Sequence, residues 1–491
     1  MSRKKNKTYK TNKLGLNLVD NVNLVKKILL DDDTLITRYF NNQNNNNMKF
    51  CILFIDGLIS NEIINENIIK PLIHNEYLDQ HYSLLDTLKN QVILSNQVEI
   101  NENKDMVLQS IMSGDTVLFA DGHKEALIIN TKYLQTRAIE EPVSEKIISG
   151  PREGFTESLT TNLSLIRKRI QTTSLRYKFR TLGKNTQTKI CICYIEGIAN
   201  NKILDELNKR LDSLELYNLI ETNYISEVIK DAPYSPFKTT GSTERPDIVA
   251  AKLLEGRIAL LVNGTPVAMT VPHLFIENMQ SNEDYYINYY FSTIGRILRI
   301  VGFFTTISIP AIYLALISYH QEVIPTELIV SIFAARQAIP FPTVIELLAL
   351  LFVFEILREA GTRMPTHIGQ ALSIVGALVL GQAAVEARFV SAPMVIVVGF
   401  SGITSLMIPK LTGASITIRT FLIFLTSLMG LYGYFFGVSA LLIHLFKIRT
   451  FGVPYMDKIT PNNLSDLQDT AIRAPWWYMQ KKHKNYLKNT K

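Results

Sequence analysis

Cysteine is scarce: Cys51, Cys191 and Cys193 are the whole complement. All three fall inside apolar, strand-like runs rather than at metal-ligand or redox spacings, so they read as buried small hydrophobes in a reducing compartment. Neither a Walker motif nor a G-x-G-x-x-G is present, which removes the usual glycine loops for nucleotide phosphate. The basic N-terminus is not followed by an apolar core, so no cleaved leader is expected, and Ser2 and the Lys-ending C-terminus lack the usual lipidation motifs. About the first 285 residues are therefore expected to stay in the cytoplasm. Acid is missing from both ends, since Met1–Lys13 holds six Lys/Arg and Met479–Lys491 five Lys with no Asp or Glu in either. These tails account for the formal charge of +7, and the chain between them is net acidic. Such placement suits solvated or lipid-facing tails rather than a nucleic-acid surface.

Long apolar runs, by contrast, crowd the last third. Near Tyr289 a charge-rich stretch gives way to Ile297–Ile317, Phe341–Ile356, Ile368–Val385, Pro393–Ile408 and Phe421–Phe446. Each is close to the roughly 20 residues that cross a bilayer as a helix, and a soluble domain would not carry five in succession. Arg296, Arg299, Arg358, Arg363, Lys410, Arg419, Lys447 and Arg449 flank them and favour the cytoplasmic side. With both chain ends inside, the number of crossings must be even, so one of the five runs is expected not to span. The region 368–408 and the stretch Leu328–Pro342, interrupted by Arg336, are the candidates for a re-entrant piece.

The same runs carry polar residues that hydrocarbon penalises unless they face protein or water: Glu346, Glu355, Gln370, Ser373, Gln382 and Glu386. Gly369, Ser373 and Gly376 let helices approach closely. Gln370, Ser373 and Ala377 share one helical face, and Gln382 with Glu386 another. If several copies surround one axis, Gln370, Ser373, Gly376, Ala377, Gly381, Gln382 and Glu386 are the pore-lining or gating candidates, with Glu386 as a cation-favouring ring. Glu355 with Arg358, and Glu359 with Arg363, are spaced for pairing within a helix and read as anchors at the membrane edge.

The soluble part repeats itself. FCILFIDG at 50–57 returns as ICICYIEG at 190–197, and GDTVLFADG at 114–122 returns as GRIALLVNG at 256–264. Helical patterns follow the first pair, with Ile63, Ile64, Ile68 and Ile69 in one copy and Ile203, Leu204, Leu207 and Leu211 in the other. The strands are continuously apolar, as in a sheet covered on both faces. The Asp-Gly and Asn-Gly endings predict type I′ hairpin turns. Asp56 and Glu196 end their strands without a nucleophile or metal pair nearby, so they read as turn residues rather than catalytic groups.

Between the repeats, GPREGFTESLTTNLSLIRKRI at 150–170 reads as a turn and an amphipathic helix with Phe155, Leu159, Leu163, Ile166 and Ile170 on one stripe. Arg152, Glu153, Glu157, Arg167 and Arg169 are its candidates for contact with a neighbouring subunit, the alternative being solvated charges. This segment resembles the signature of the A subunits of GerA-type spore germination receptors. Further matching stretches are RPDIVAAKLLEGRIALLVNGTP at 245–266, LREAGTRMP at 357–365, IGQALSIVGALVLGQAAVEA at 368–387 and FGVPY at 451–455. The likeness spans about residues 48–460 and is shared with a close paralogue, the F subunit of stage V sporulation protein A.

What the resemblance implies is a non-enzymatic receptor subunit without cofactor or metal, in the inner membrane of the dormant spore. Its expected partners are a transporter-like B subunit, a lipoprotein C subunit, further copies of itself and membrane lipid, with no nucleic acid. The A subunit would oligomerise into a nutrient-gated channel for monovalent cations. The rival readings are a secondary transporter of amino acids or ions, for which an inverted repeat in the membrane part would be expected, and a scaffold that merely anchors the soluble domains. The expected architecture is an α/β cytoplasmic region of two duplicated subdomains followed by an all-α polytopic transmembrane domain. Its boundaries are a flexible basic, Asn-rich segment 1–47, a first subdomain 48–145, a connecting signature helix 146–184, a second subdomain 185–288, membrane helices 289–447 and a basic tail 448–491.

Overall fold

Each sequence repeat builds a five-stranded antiparallel sheet. The first contains β1 (Leu35–Asn41), β2 (Lys49–Ile55), β3 (Val98–Asn101), β4 (Thr116–Ala120) and β5 (Ala126–Ile129), in the spatial order β1-β2-β4-β5-β3. The second contains β6 (Leu175–Leu182), β7 (Thr188–Ile195), β8 (Gly241–Thr243), β9 (Ile258–Val262) and β10 (Ala268–Val271), in the equivalent order β6-β7-β9-β10-β8. The register repeats as well, with Cys51 opposite Phe119 and Cys191 opposite Leu261. This computed structural model describes residues 13–479 apart from 31, 45–47, 75–83, 133–140, 143–144, 364–378 and 458–468. The chain forms two units, one of 13–230 with 240–272 and the other of 231–239 with 273–479.

Helices on both sides explain why antiparallel strands carry uninterrupted apolar runs. Cys51, Leu53, Ile55, Val117 and Phe119 pack on the helices Leu18–Ile28 and Lys104–Met112 through Leu18, Val22, Val25, Val107 and Ile111. Phe50, Ile52, Phe54 and Leu118 point the other way, onto Ile64, Ile68, Leu85 and Leu88. In the second copy Cys191, Cys193, Ile195, Ala259 and Leu261 pack on Leu159, Leu163, Ile166, Val249 and Leu253.

The duplicated unit is larger than the sequence motifs indicate. Helix Leu18–Ile28 and β1 match helix Leu159–Arg169 and β6, so 18–41, expected as part of a flexible 1–47 segment, belongs to the first subdomain. The signature helix likewise opens the second subdomain rather than connecting two finished ones. An asparagine in each helix makes the equivalence visible at the atomic level. Asn21 exchanges hydrogen bonds with the backbone N–H and C=O of Gly15, and Asn162 does the same with Thr156. The two hairpin glycines have φ of +82° and +91° at Gly122 and Gly264, but neither Asp121 nor Asn263 has positive φ, so the expected type I′ turns are not formed. Instead the Asp121 and Asn263 side chains each accept the first N–H of a helix, from Leu18 and Leu159. The dipeptide serves a longer loop that caps a neighbour, and tertiary contact overrides the local turn preference.

In the second unit, helices Tyr289–Ser318, Thr343–Arg363, Ala392–Leu406 and Thr412–Lys447 fall on four of the expected runs. Tyr289–Ser318 and Pro409–Lys447 are long and apolar enough to cross a membrane. Most of the Ile368–Val385 run lies outside the described residues. Thr326–Arg336 has 11 residues, about 16 Å of helix, too short to span.

The last run is not one crossing. Gly430 has φ 60° and ψ −140° inside Thr412–Lys447, a conformation open only to glycine, and a Cβ there would lie 2.9 Å from Tyr319 Cβ. Beyond it the chain doubles back, because a Cβ on Gly437 would lie 2.6 Å from Leu422 Cδ2. In one straight helix those residues would stand about 22 Å apart. The segments 412–429 and 431–447 thus form an antiparallel helical hairpin. Its return arm brings His444 beside Phe237, which also packs against Phe275 and Tyr455, and Phe275 in turn touches Phe303 in the first half of Tyr289–Ser318. The return arm therefore ends beside the middle of helix Tyr289–Ser318, and the fifth apolar run reverses at Gly430 instead of running straight.

Candidate functional site

Charges inside the fold mark three places where it commits to a specific arrangement. The first joins the two subdomains. Arg167, on the signature helix, is 1% exposed and its Nη2 donates to Asp32 Oδ2 at 2.5 Å, with Asp32 fully buried. Its guanidinium also stacks over the Tyr177 ring at 4.4 Å. Next to it Asp33 accepts from the Phe179 N–H at 2.7 Å and donates its own N–H to Tyr177 C=O. Arg176 then bridges Glu196 and the Ile28 carbonyl.

Arg167 is thus not on a surface where a second subunit would meet it, because its acidic partner comes from the first subdomain of the same chain. Arg169 and Lys168 both hold Glu153, at 2.7 and 3.2 Å. Burial raises the Glu153 pKa, but those two hydrogen bonds and charges outweigh it and leave the carboxyl below its usual range. Arg152 and Glu157 are exposed. Glu196 is occupied by Arg176, and no group of three or more metal-ligating side chains gathers among the described residues.

The second place lies within the apolar helices. Glu355 accepts from Arg358 in its own helix at 2.6 Å and from Arg419 of the hairpin at 2.7 Å. Arg419 also donates to Ser401 Oγ at 3.2 Å, Ser401 donates to the Thr306 carbonyl at 3.0 Å, and Thr306 and Thr404 share a hydroxyl contact at 2.8 Å. One polar chain therefore ties four apolar helices together. Arg419, expected at the cytoplasmic edge, is 2% exposed, since its charge is matched by a carboxylate in the bundle and has no need to reach water. Glu355 is accordingly more than an edge anchor.

Glu346 is buried and receives both the N–H and the hydroxyl of Ser391, with Arg336 at 3.6 Å. That pairing explains why Arg336 can interrupt an apolar stretch. Gln382 donates to Glu386 at 2.9 Å, as the four-residue spacing predicts, and both are exposed on the helical stretch 379–386 just before the turn at Ala387. Gly381 is buried beside Val395. Gln370, Ser373, Gly376 and Ala377 lie outside the described residues.

The third place is the start of helix Tyr289–Ser318. Arg296 donates to Asp284 at 3.0 Å and to Asp469 at 2.8 Å, and Arg299 pairs with Asp284. Neither arginine snorkels, because Asp284 from the turn just before the helix and Asp469 from the C-terminal segment supply the acids. Sequence reasoning missed Asp32, Ser391, Ser401, Asp284 and Asp469. The available signal was a mismatch of chemistry: an arginine inside an apolar run or stripe needs an acid, and the partner's position along the chain is set by tertiary packing.

A family profile described as Bacillus/Clostridium GerA spore germination protein matches residues 23–485. The chain is 44% identical over 439 residues to the uncharacterized membrane protein YfkQ of Bacillus subtilis, covering 89% of this chain and 85% of that one. Identity to spore germination protein KA of the same organism is 39% over 476 residues, 96% of this chain and 87% of the other. A crystal structure of the N-terminal domain of the A subunit of the Bacillus megaterium spore germinant receptor GerK3 is 31% identical, covers 54% of this chain and 97% of that one, and aligns with a TM-score of 0.40.

Proposed function

The chain belongs to the Bacillus/Clostridium GerA spore germination protein family, and from that premise we propose that it is the A-type subunit of a nutrient receptor that triggers germination by opening an ion path. It is a membrane protein of the germination system. In this reading it sits in the spore inner membrane with its N-terminal subdomains in the cytoplasm, works with a transporter-like B subunit and a lipoprotein C subunit, and carries no catalytic centre. Several copies surround one axis and conduct monovalent cations.

The observation that supports the channel is the distribution of polar groups among the apolar helices. Glu346 and Glu355 are bound to arginines within one chain, whereas Gln382 and Glu386 face outward from it. A carboxylate facing hydrocarbon costs several kcal/mol, so that face favours water or another copy of the chain. Glu386 precedes a turn, which suits a ring at a pore mouth rather than at the midplane. A ring of carboxylates there raises the local cation concentration.

The test is potassium and sodium efflux from liposomes holding this chain with its two partner subunits, before and after adding a mixture of amino acids and sugars. Nutrient-dependent efflux, reduced or made anion-tolerant by Glu386→Gln, is the expected result. Assembled complexes that respond to nutrient by another readout yet pass no ions would move the ion path to a partner and leave this chain a scaffold.

A further inference from the structure

The exposed face beside the start of helix Tyr289–Ser318 is rich in aromatic side chains. Tyr290, Phe291, Trp476, Trp477 and Tyr478 are between 46% and 68% exposed. Trp476 lies 6.2 Å from the Tyr285 ring and Trp477 5.8 Å from the Tyr289 ring, so the C-terminal segment brings its aromatics to the point where the first apolar helix begins. The segment is fastened there. Asp469 receives Arg296 and the Tyr285 hydroxyl at 2.8 Å each, the Arg473 N–H donates to Thr293 Oγ1 at 3.2 Å, and the Arg473 guanidinium covers the Trp476 ring at 5.1 Å.

We propose that Trp476, Trp477 and Tyr478, with Tyr290 and Phe291, form a lipid-interface anchor that favours anionic headgroups. Three observations choose lipid as the occupant. The patch continues the surface of a helix long enough to cross a bilayer, at the end where it would leave the hydrocarbon. Trp and Tyr combine an apolar ring with a polar edge, which places them at headgroup level. Met479–Lys491 adds five lysines and no acid immediately afterwards, the charge that complements anionic phosphate. Apolar insertion together with a basic run supplies the two signals that stable interfacial attachment needs. Fastening by Asp469 and Arg473 then ties the position of the first membrane helix to the lipid surface. The inference depends on the membrane reading alone and stands whether or not the chain conducts ions.

Trp476 and Trp477 are the chain's only two tryptophans, so intrinsic emission reports this patch and nothing else. The full chain is reconstituted into phosphatidylcholine–phosphatidylglycerol vesicles whose lipids carry bromine at a shallow acyl position. The expected result is loss of Trp emission with bromolipid and little loss with aqueous iodide, in the wild type and in Trp476→Phe and Trp477→Phe, which read the two rings separately. Quenching by iodide without quenching by bromolipid would mean a solvated patch, and protection from both would mean that protein, such as a second copy, covers it. Either outcome overturns the anchor. Equal bromolipid quenching in pure phosphatidylcholine overturns the role of the lysines.

Discussion

Removing one partner of the Arg167–Asp32 pair is expected to open the soluble half far more readily than its surface charges would suggest. Asp32→Ala leaves a guanidinium with 1% exposure facing no acid, and breaking a buried pair this way costs about 3–5 kcal/mol. It also removes the acceptor for Thr34 N–H and Oγ1, a further loss of about 1 kcal/mol per bond.

The native cysteines supply the assay. Cys191 and Cys193 share a core with Tyr177, on whose ring Arg167 stacks, while Cys51 lies in the first sheet. Burial pushes the Cys51 thiol up to about 12, outweighing the pull of Lys26 and Tyr39, and burial also raises Cys191. At neutral pH these thiols react only when the structure opens, so labelling rates under native conditions follow the opening free energy. At about 1.4 kcal/mol per factor of ten, Asp32→Ala should speed labelling of Cys191 and Cys193 by roughly a hundredfold or more. Arg167→Met combined with Asp32→Ala leaves no orphaned charge and should recover at least about tenfold of that loss. The reasoning is refuted if the single variant labels at the wild-type rate, or if the double variant labels as fast as Asp32→Ala.

Gly430→Ala should prevent the helical hairpin, since the new Cβ meets Tyr319 at a positive φ. A reporter cysteine at position 449 then moves from the N-terminal side of the membrane, and labelling by an impermeant thiol reagent from each side reads the change; unchanged sidedness would argue against the reversal. Glu153 gives a pH dependence whose sign follows from its depressed pKa. Its contribution is present above the ordinary carboxylate range and is lost as pH falls through its depressed folded value. Hydrogen exchange of the turn at 150–157 should rise there, and Glu153→Gln should remove that rise.

How much was legible beforehand depends on how local each feature is. Five apolar runs, the 50–57 and 190–197 repeat and the Gln382–Glu386 spacing are patterns within a few turns or strands, and each was readable from the residue order. The full extent of the duplication was a weaker signal: helix Leu18–Ile28 and helix Leu159–Arg169 match at Leu18/Leu159, Asn21/Asn162, Leu24/Leu165 and Lys27/Lys168, a short amphipathic likeness whose meaning becomes firm only when the backbone partners of the two asparagines are seen. The Asp-Gly and Asn-Gly turns misled for a related reason: a dipeptide preference is weak compared with a side chain that caps a buried helix.

By itself, then, the sequence determined where the chain is apolar enough for a membrane, that its soluble part is duplicated, and which charges stand in places hydrocarbon or a core would punish. Only the tertiary structure decided how those charges are satisfied. Arg167 finds Asp32 at a separation of 135 residues, Arg419 finds Glu355 at 64 and Arg296 finds Asp469 at 173. The need for a partner follows from the cost of burying a charge, a property of the residue. The partner's identity follows from which segments the fold brings within reach, and no periodicity along the chain encodes that.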